Sequence, residues 1–257
     1  MVRIISQLAL IILFCTVSVC SYAQPKGRAI VDQTAEWFAL TTMSKVHKKV
    51  SIMLEGQFRY VEQMDPLQFQ LRTGVEYGLN KHWFVTLGYV YTWNEHYGKQ
   101  PAAFVNNEHR IWEQVNYKNS YKRFFMSHRF RVEQRFIQEH SKTETSNAYS
   151  NYQNRLRYRF MTNIPLNHAT MDAKTVYLNL YDEVFYGFGN TDTFNEPDQN
   201  RIYLGFGYQF TKLVQAHVGP FYQMLIKSNG AKQENNVGFQ LQVNYNFDFT
   251  KKEEVKK

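Results

Sequence analysis

Two short runs carry most of the residues able to do chemistry. HRFRVEQRF, residues 128–136, sets Arg129, Arg131, Glu133 and Arg135 at every second position, and NRLRYRF, residues 154–160, does the same with Arg155, Arg157 and Arg159. Side chains alternate across a strand, so that spacing puts all of them on one face. Planar guanidinium forks gathered on a face hold carboxylates or anionic solutes bidentately. Arg59, Arg72, Arg110 and Arg201 share the expected face, together with the acids Glu55, Glu76, Glu133 and Glu183. Ten arginines against four glutamates leave a surplus of about six positive charges. In a water-filled interior such a ladder favours anions; in a plugged one, loop acids and Asn, Gln and Tyr partners neutralise it, and wide aqueous channels belong to larger barrels.

A second set breaks the pattern. Glu113, His128, Gln134 and Asp182 fall on the otherwise apolar phase of their segments. A hairpin turning about Asn119-Ser120 would bring Glu113 and His128 onto adjacent strands of one face, close enough for an acid–base pair. That pair is the basis of a second reading, a membrane-embedded lipid-modifying enzyme, hydrolase or acyltransferase, whose working residues face lipid. The competing explanation is a β-bulge that shifts the phase, or polar groups lying at headgroup depth. Other constellations are absent from the sequence: no Gly-x-Ser-x-Gly elbow, no His-Glu-x-x-His, no phosphate-cradling glycine loop and no paired histidines at metal-ligand spacing. No metal, cofactor or nucleic acid is expected.

The elements that must position these side chains are strands. VGFQLQVNYNFDF, residues 237–249, alternates apolar and polar without a break from Phe239, and the same period recurs along the chain. Strands are expected at 33–41, 49–60, 67–79, 82–94, 107–118, 121–138, 148–162, 173–188, 198–210, 213–226 and 235–249. Short turns such as Asn80-Lys81 and Thr211-Lys212 alternate with longer loops at 95–106, 139–147, 189–198 and 227–234. The pattern is that of an up-and-down antiparallel meander, a single all-β domain over residues 24–249. Eleven segments sit awkwardly with the even strand numbers usual in bacterial barrels, so ten to twelve strands are expected; either a short strand near 27–32 is unrecognised or 33–41 is not a full strand.

Three features favour lipid around this barrel. Strands of 13 residues or so exceed the ~5 to 6 usual in globular proteins. Trp83, Val85, Leu87, Tyr89, Tyr91 and Trp93 share a face, and ten residues at ~3.3 Å tilted by ~40° set the two tryptophans roughly 25 Å apart, the height of a lipid-facing band between aromatic girdles. Arginines lie within strands, whereas Lys45, Lys48, Lys49, Lys81, Lys118, Lys122, Lys212, Lys227 and Lys232 lie at or beside turns and loops. Turning the barrel inside out preserves the alternation and describes a soluble barrel, but aromatic residues on nearly every strand would overfill a closed interior.

Composition fits. Arg3, the apolar stretch Leu8 to Val19 and Ser21-Tyr22-Ala23 form a secretory signal peptide over residues 1–23. Both cysteines, Cys15 and Cys20, lie within it, which excludes a disulfide scaffold, a thiol enzyme and a thiolate metal site in the mature chain. The formal net charge of +8 suggests an anionic partner, though the placement of charge matters more than its sum.

NEHRIWEQ (107–114), HRFRVEQRF (128–136), NRLRYRF (154–160), YLNLYDEVF (177–185) and QNRIYLGFGYQF (199–210) together resemble a bacterial outer-membrane β-barrel family catalogued as domain of unknown function 2490. The resemblance implies an outer-membrane barrel with no established activity. The expected surroundings are outer-membrane lipid and lipopolysaccharide, with barrel-assembly machinery as a partner during insertion and a small-molecule ligand that the sequence does not identify. The final aromatic, Phe249, is followed by a charged tail over residues 250–257, a departure from barrels that end on the aromatic itself.

Overall fold

Alternation becomes a wall in the computed structural model, which describes residues 28–99, 105–139, 148–189, 197–227 and 230–250. The segment read as a signal peptide, residues 251–257 of the charged tail and parts of the long loops lie outside the described residues. Eleven strands are formed: β1 (Ala29–His47), β2 (Val50–Val61), β3 (Asp65–Gly78), β4 (Trp83–Asn94), β5 (Glu108–Tyr121), β6 (Phe124–Ile137), β7 (Asn151–Pro165), β8 (Thr175–Phe188), β9 (Pro197–Gln209), β10 (Val214–Ile226) and β11 (Lys232–Asp248). Each is hydrogen-bonded to its sequence neighbours in antiparallel fashion, and the sheet closes into a barrel through β1 and β11.

The closing pair is parallel, with Ala29 level with Lys232 and Lys45 level with Asp248. An antiparallel meander with an odd number of strands can close no other way, because its first and last strands run in the same direction. Both escapes from an odd count therefore fail: residues 29–32 are the start of one long β1 of 19 residues, and 33–41 is its middle. The seam is tight. A Cβ on Gly238 would lie 1.6 Å from the Ala35 carbonyl oxygen, so only glycine fits there. Odd parity also leaves Ala29 at the end of the barrel that carries the long loops and Asp248 at the end that carries the short turns.

The outward phase is mostly apolar around the girth, with Leu87 (59%), Phe206 (62%) and Phe239 (62%) among its most exposed side chains. Outward rings stack in a chain, Phe58 on Phe69 at 4.6 Å and Phe69 on Trp93 at 5.0 Å, near the long-loop end. Trp83 and Trp93 both face outward. A closed wall with its backbone bonds satisfied strand to strand and its outer face apolar is a structure that lipid accepts, so the barrel spans a membrane.

The inner face holds more than charge. Trp37, Trp112, Tyr177, Tyr181, Phe185, Tyr203 and Phe221 are all buried inside the barrel, so aromatic residues are shared between lipid and lumen. Glycines make the room. A Cβ on Gly207 would meet Tyr177 at 2.1 Å, and one on Gly88 would meet Trp112 at 2.2 Å. Gly88→Val should therefore lower stability by about 1–3 kcal/mol through overpacking. Gly56 has open space around its absent Cβ, and Gly56→Val should be neutral. Urea unfolding of the refolded barrel in micelles measures both, and equal effects would contradict the packing.

Candidate functional site

The lumen is organised by two strands. Antiparallel register sets β6 against β7 so that Arg129 faces Arg159 and Arg131 faces Arg157, with Glu133 opposite Arg155. Four guanidinium groups thus occupy two adjacent rungs. Like charges directly opposite repel, and the carboxylates that answer them come from β6 itself and from β8.

Glu133 accepts hydrogen bonds from Arg155 Nε (2.9 Å) and from Arg157 Nη1 (2.5 Å). Glu183 accepts from Arg157 Nε (2.9 Å) and Nη2 (2.7 Å), and also from Arg129, with Arg201 Nη1 3.6 Å away. Arg157 is therefore the bridge between the two acids. Nearer the long-loop end, Glu108 is held by Arg110 (2.8 Å to Nη2) and Arg135 (3.0 Å to Nη2). Glu55 pairs with Arg72 and accepts from Thr41 Oγ1 at 3.0 Å.

Arginines with a distant carboxylate or none, Arg131 at 3.8 Å from Glu133, Arg201 and Arg59, also use amides and rings. Arg59 donates to the Gln57 and Gln68 side-chain oxygens at 2.8 and 3.0 Å. Arg131 donates to Gln114 Oε1 and lies 4.2 Å from the Trp112 ring centroid. The guanidinium carbons of Arg59 and Arg201 lie 4.5 and 4.4 Å from the Trp37 centroid. Cation–π contacts of this kind are worth about 2 kcal/mol or more once water is excluded.

This lattice divides the lumen. At the short-turn end a cavity of about 310 Å³ remains, floored by arginines and walled by amides such as Asn116, Asn163, Asn179 and Gln215. Beyond the floor, Glu133, Arg155, Arg110 and Glu108 are buried against one another. The long-loop mouth is narrowed further. The loop after β4 lays Tyr97 against the Trp37 cluster, and Lys227 Nζ reaches both the Tyr97 hydroxyl and Glu234 at 2.7 Å. Burial pulls the Lys227 ammonium down, but Tyr97 and Glu234 beside it more than offset this and hold it above the ordinary lysine value.

All ten expected arginines and the acids Glu55, Glu76, Glu133 and Glu183 lie on the inner phase of their strands. Two acids were not anticipated. Glu108 shares parity with Arg110, two residues on, and Glu234 shares parity with Gln240, so the signal was present at the start of each strand. The inner rings were legible in the same way, since Trp112 shares parity with Arg110 and Tyr181 with Glu183. With Glu108 counted, the arginine surplus is smaller than the sequence alone suggests.

The expected Glu113 and His128 pair does not form. The β5–β6 hairpin turns at Lys122, which takes the left-handed conformation (φ 53°), and Asn119 and Ser120 remain in the ladder opposite Met126 and Phe125. Glu113 is level with Val132, four residues along β6 from His128, about 13 Å at strand rise. No bulge interrupts that register, so both side chains do face outward. Their bonds are made elsewhere: Glu113 accepts from Gln134 Nε2 at 3.0 Å, and His128 Nδ1 lies 2.9 Å from the Tyr158 hydroxyl. Asp182 accepts from Asn200 at 2.7 Å. Among the described residues no cluster of His, Cys, Asp and Glu could hold a metal ion.

A membrane-spanning β-barrel whose lumen is filled at mid-height by arginine–glutamate bonds, with an arginine-floored vestibule at one end, is the class of protein these observations define. The chain belongs to the family described as "Protein of unknown function (DUF2490)", whose model matches residues 34–236. No curated protein matches the chain. A solved structure described as a NanC porin in a rhombohedral crystal form is similar over 83% of this chain and 98% of that one, at 10% identity and a TM-score of 0.47.

Removing one member of a buried pair strands its partner. Glu183→Gln should lower stability by about 3–5 kcal/mol in urea unfolding, because three guanidinium groups converge on that carboxylate. Glu62→Gln, which removes the exposed Lys99–Glu62 pair at 3.4 Å, should cost about 0–1 kcal/mol. A small effect at Glu183 would mean that water hydrates the lattice.

Proposed function

We propose that the protein is an exported outer-membrane barrel that handles small anions in its lumen, and that it is not a catalyst. Residues 1–23 serve as the signal for export, lipopolysaccharide and phospholipid surround the wall, and barrel-assembly machinery inserts it. One observation carries the anion reading. Among the described residues, the vestibule is lined by eight cationic side chains, seven arginines and Lys118, against the three carboxylates of Glu55, Glu76 and Glu183. A low-dielectric wall focuses that excess and draws anions in. With the short turns in the periplasm, the usual arrangement, the vestibule opens to the periplasm and the long loops face outward.

The lipid-enzyme reading has lost the juxtaposition that motivated it, because the β5–β6 register sets Glu113 level with Val132 and not with His128. Proteoliposomes test both readings at once. Small anions should leak faster than cations of similar size, sucrose should be retained behind the filled mid-lumen, and phospholipids should stay intact. Arg131→Glu should reduce the anion preference. Cation-selective leak would sink the anion reading, and phospholipid turnover abolished by His128→Ala would restore the enzyme.

Orientation has its own measurement. A mature chain without cysteine permits single-thiol labelling in intact cells. Glu95→Cys, beside the long loop after β4, should react with an impermeant maleimide, and Lys212→Cys, in a short turn, should not. The reverse pattern would invert the barrel.

A further inference from the structure

We propose that the vestibule floor is a binding site for one small oxyanion, a phosphate or a carboxylate, held between Arg129 and Arg159. This rests on the anion reading above and gives it a location.

The argument starts from register. Arg129 and Arg159 are directly opposite on β6 and β7, one rung closer to the short-turn end than the Arg131 and Arg157 pair. Arg157 spends its donors on Glu133 and Glu183, and Arg131 donates to Gln114. Arg159 has no carboxylate or amide acceptor among the described residues, although Glu183 is level with it on β8. That carboxylate is already taken by Arg129 and Arg157, with Arg201 close by. Arg159 has the Tyr181 ring 5.6 Å from its guanidinium carbon. The Nε atoms of both Arg129 and Arg159 are buried without an acceptor.

Both side chains line the cavity, as do Asn116, Asn163 and Asn179. A buried donor without an acceptor is costly, and two adjacent cations add repulsion to that cost. One anion seated between them relieves both. The fork geometry selects its chemistry: guanidinium groups bind planar or tetrahedral oxyanions bidentately, which a spherical halide does not match. The surrounding amides can donate to the remaining oxygens. A volume of about 310 Å³ lies at the lower limit of ligand pockets, which suits a compact anion and not a chain of sugars or a lipid.

Calorimetric titration of the refolded full chain in micelles at low salt tests this, with inorganic phosphate and succinate as separate probes. Saturable binding of at least one is expected, and the probe that binds assigns the tetrahedral or the carboxylate form. Arg159→Gln should weaken it about tenfold or more, the loss of a charge-assisted bond, while Lys212→Gln on an exposed turn should leave it unchanged. Heat-dependent gel mobility reports whether each variant is folded. If Arg159→Gln does not fold, Arg159→Lys decides, since it keeps the charge and removes the fork: weaker binding supports the site and unchanged binding overturns it. Unchanged binding in a folded Arg159→Gln overturns it too, as does the absence of saturable heat with either probe. Anion-selective leak that persists without saturable binding would locate the failure in the site alone; loss of both would remove the anion reading with it.

Discussion

Guanidinium charge enclosed by a narrow barrel must be met by carboxylates, amide oxygens or aromatic faces, because there is little room for water to do it. Half of each strand points inward, so whatever the sequence places on that phase has to fit and be satisfied there. Glu133 and Glu183 act as hubs, each contacted by more than one arginine. Trp37 and Trp112 take the faces of Arg59, Arg201 and Arg131, which the acids approach only at 3.6 Å or more or not at all. Buried ion pairs add little net stability over apolar packing. They do make register expensive to change: a one-residue slip of β6 on β7 would turn Arg129, Arg131 and Arg135 into lipid and Phe130 and Val132 into the lattice.

Parity is the second constraint. Eleven strands force a parallel seam between β1 and β11 and place Ala29 and Asp248 at opposite ends of the barrel. The seam runs over 17 paired positions and needs Gly238 where the backbones approach. Its consequence for the site is asymmetry. The mouth nearest Ala29 is narrowed by Tyr97, Lys227 and Glu234, while the opposite end keeps the open vestibule. Access to the arginine floor is therefore from the short-turn end.

Much of this was legible in the chain. Period two located ten of the eleven strands within a few residues, and parity assigned Arg129, Arg131, Arg135, Arg155, Arg157 and Arg159 to one inner face. The β5–β6 turn was misplaced because Asn119-Ser120 has the composition of a turn; the ladder extends through it, and Lys122 takes the positive φ instead. Moving the hairpin centre by three residues separates Glu113 from His128 without changing the face of either. Glu108 and Glu234 were overlooked because they lie at strand ends, where loop and lumen cannot be told apart by composition.

What the sequence determined by itself was facing: with side chains alternating at every residue, a local pattern suffices to say which groups share a wall. Pairing across strands was decided only by tertiary structure. Which arginine meets which glutamate depends on hairpin centres and on the closing seam, and these are set by the whole barrel at once. Arg159 shows the difference. Its face was readable from NRLRYRF, but its lack of an acceptor follows from Glu183 being occupied by Arg129 and Arg157, a competition that exists only when three strands are in register.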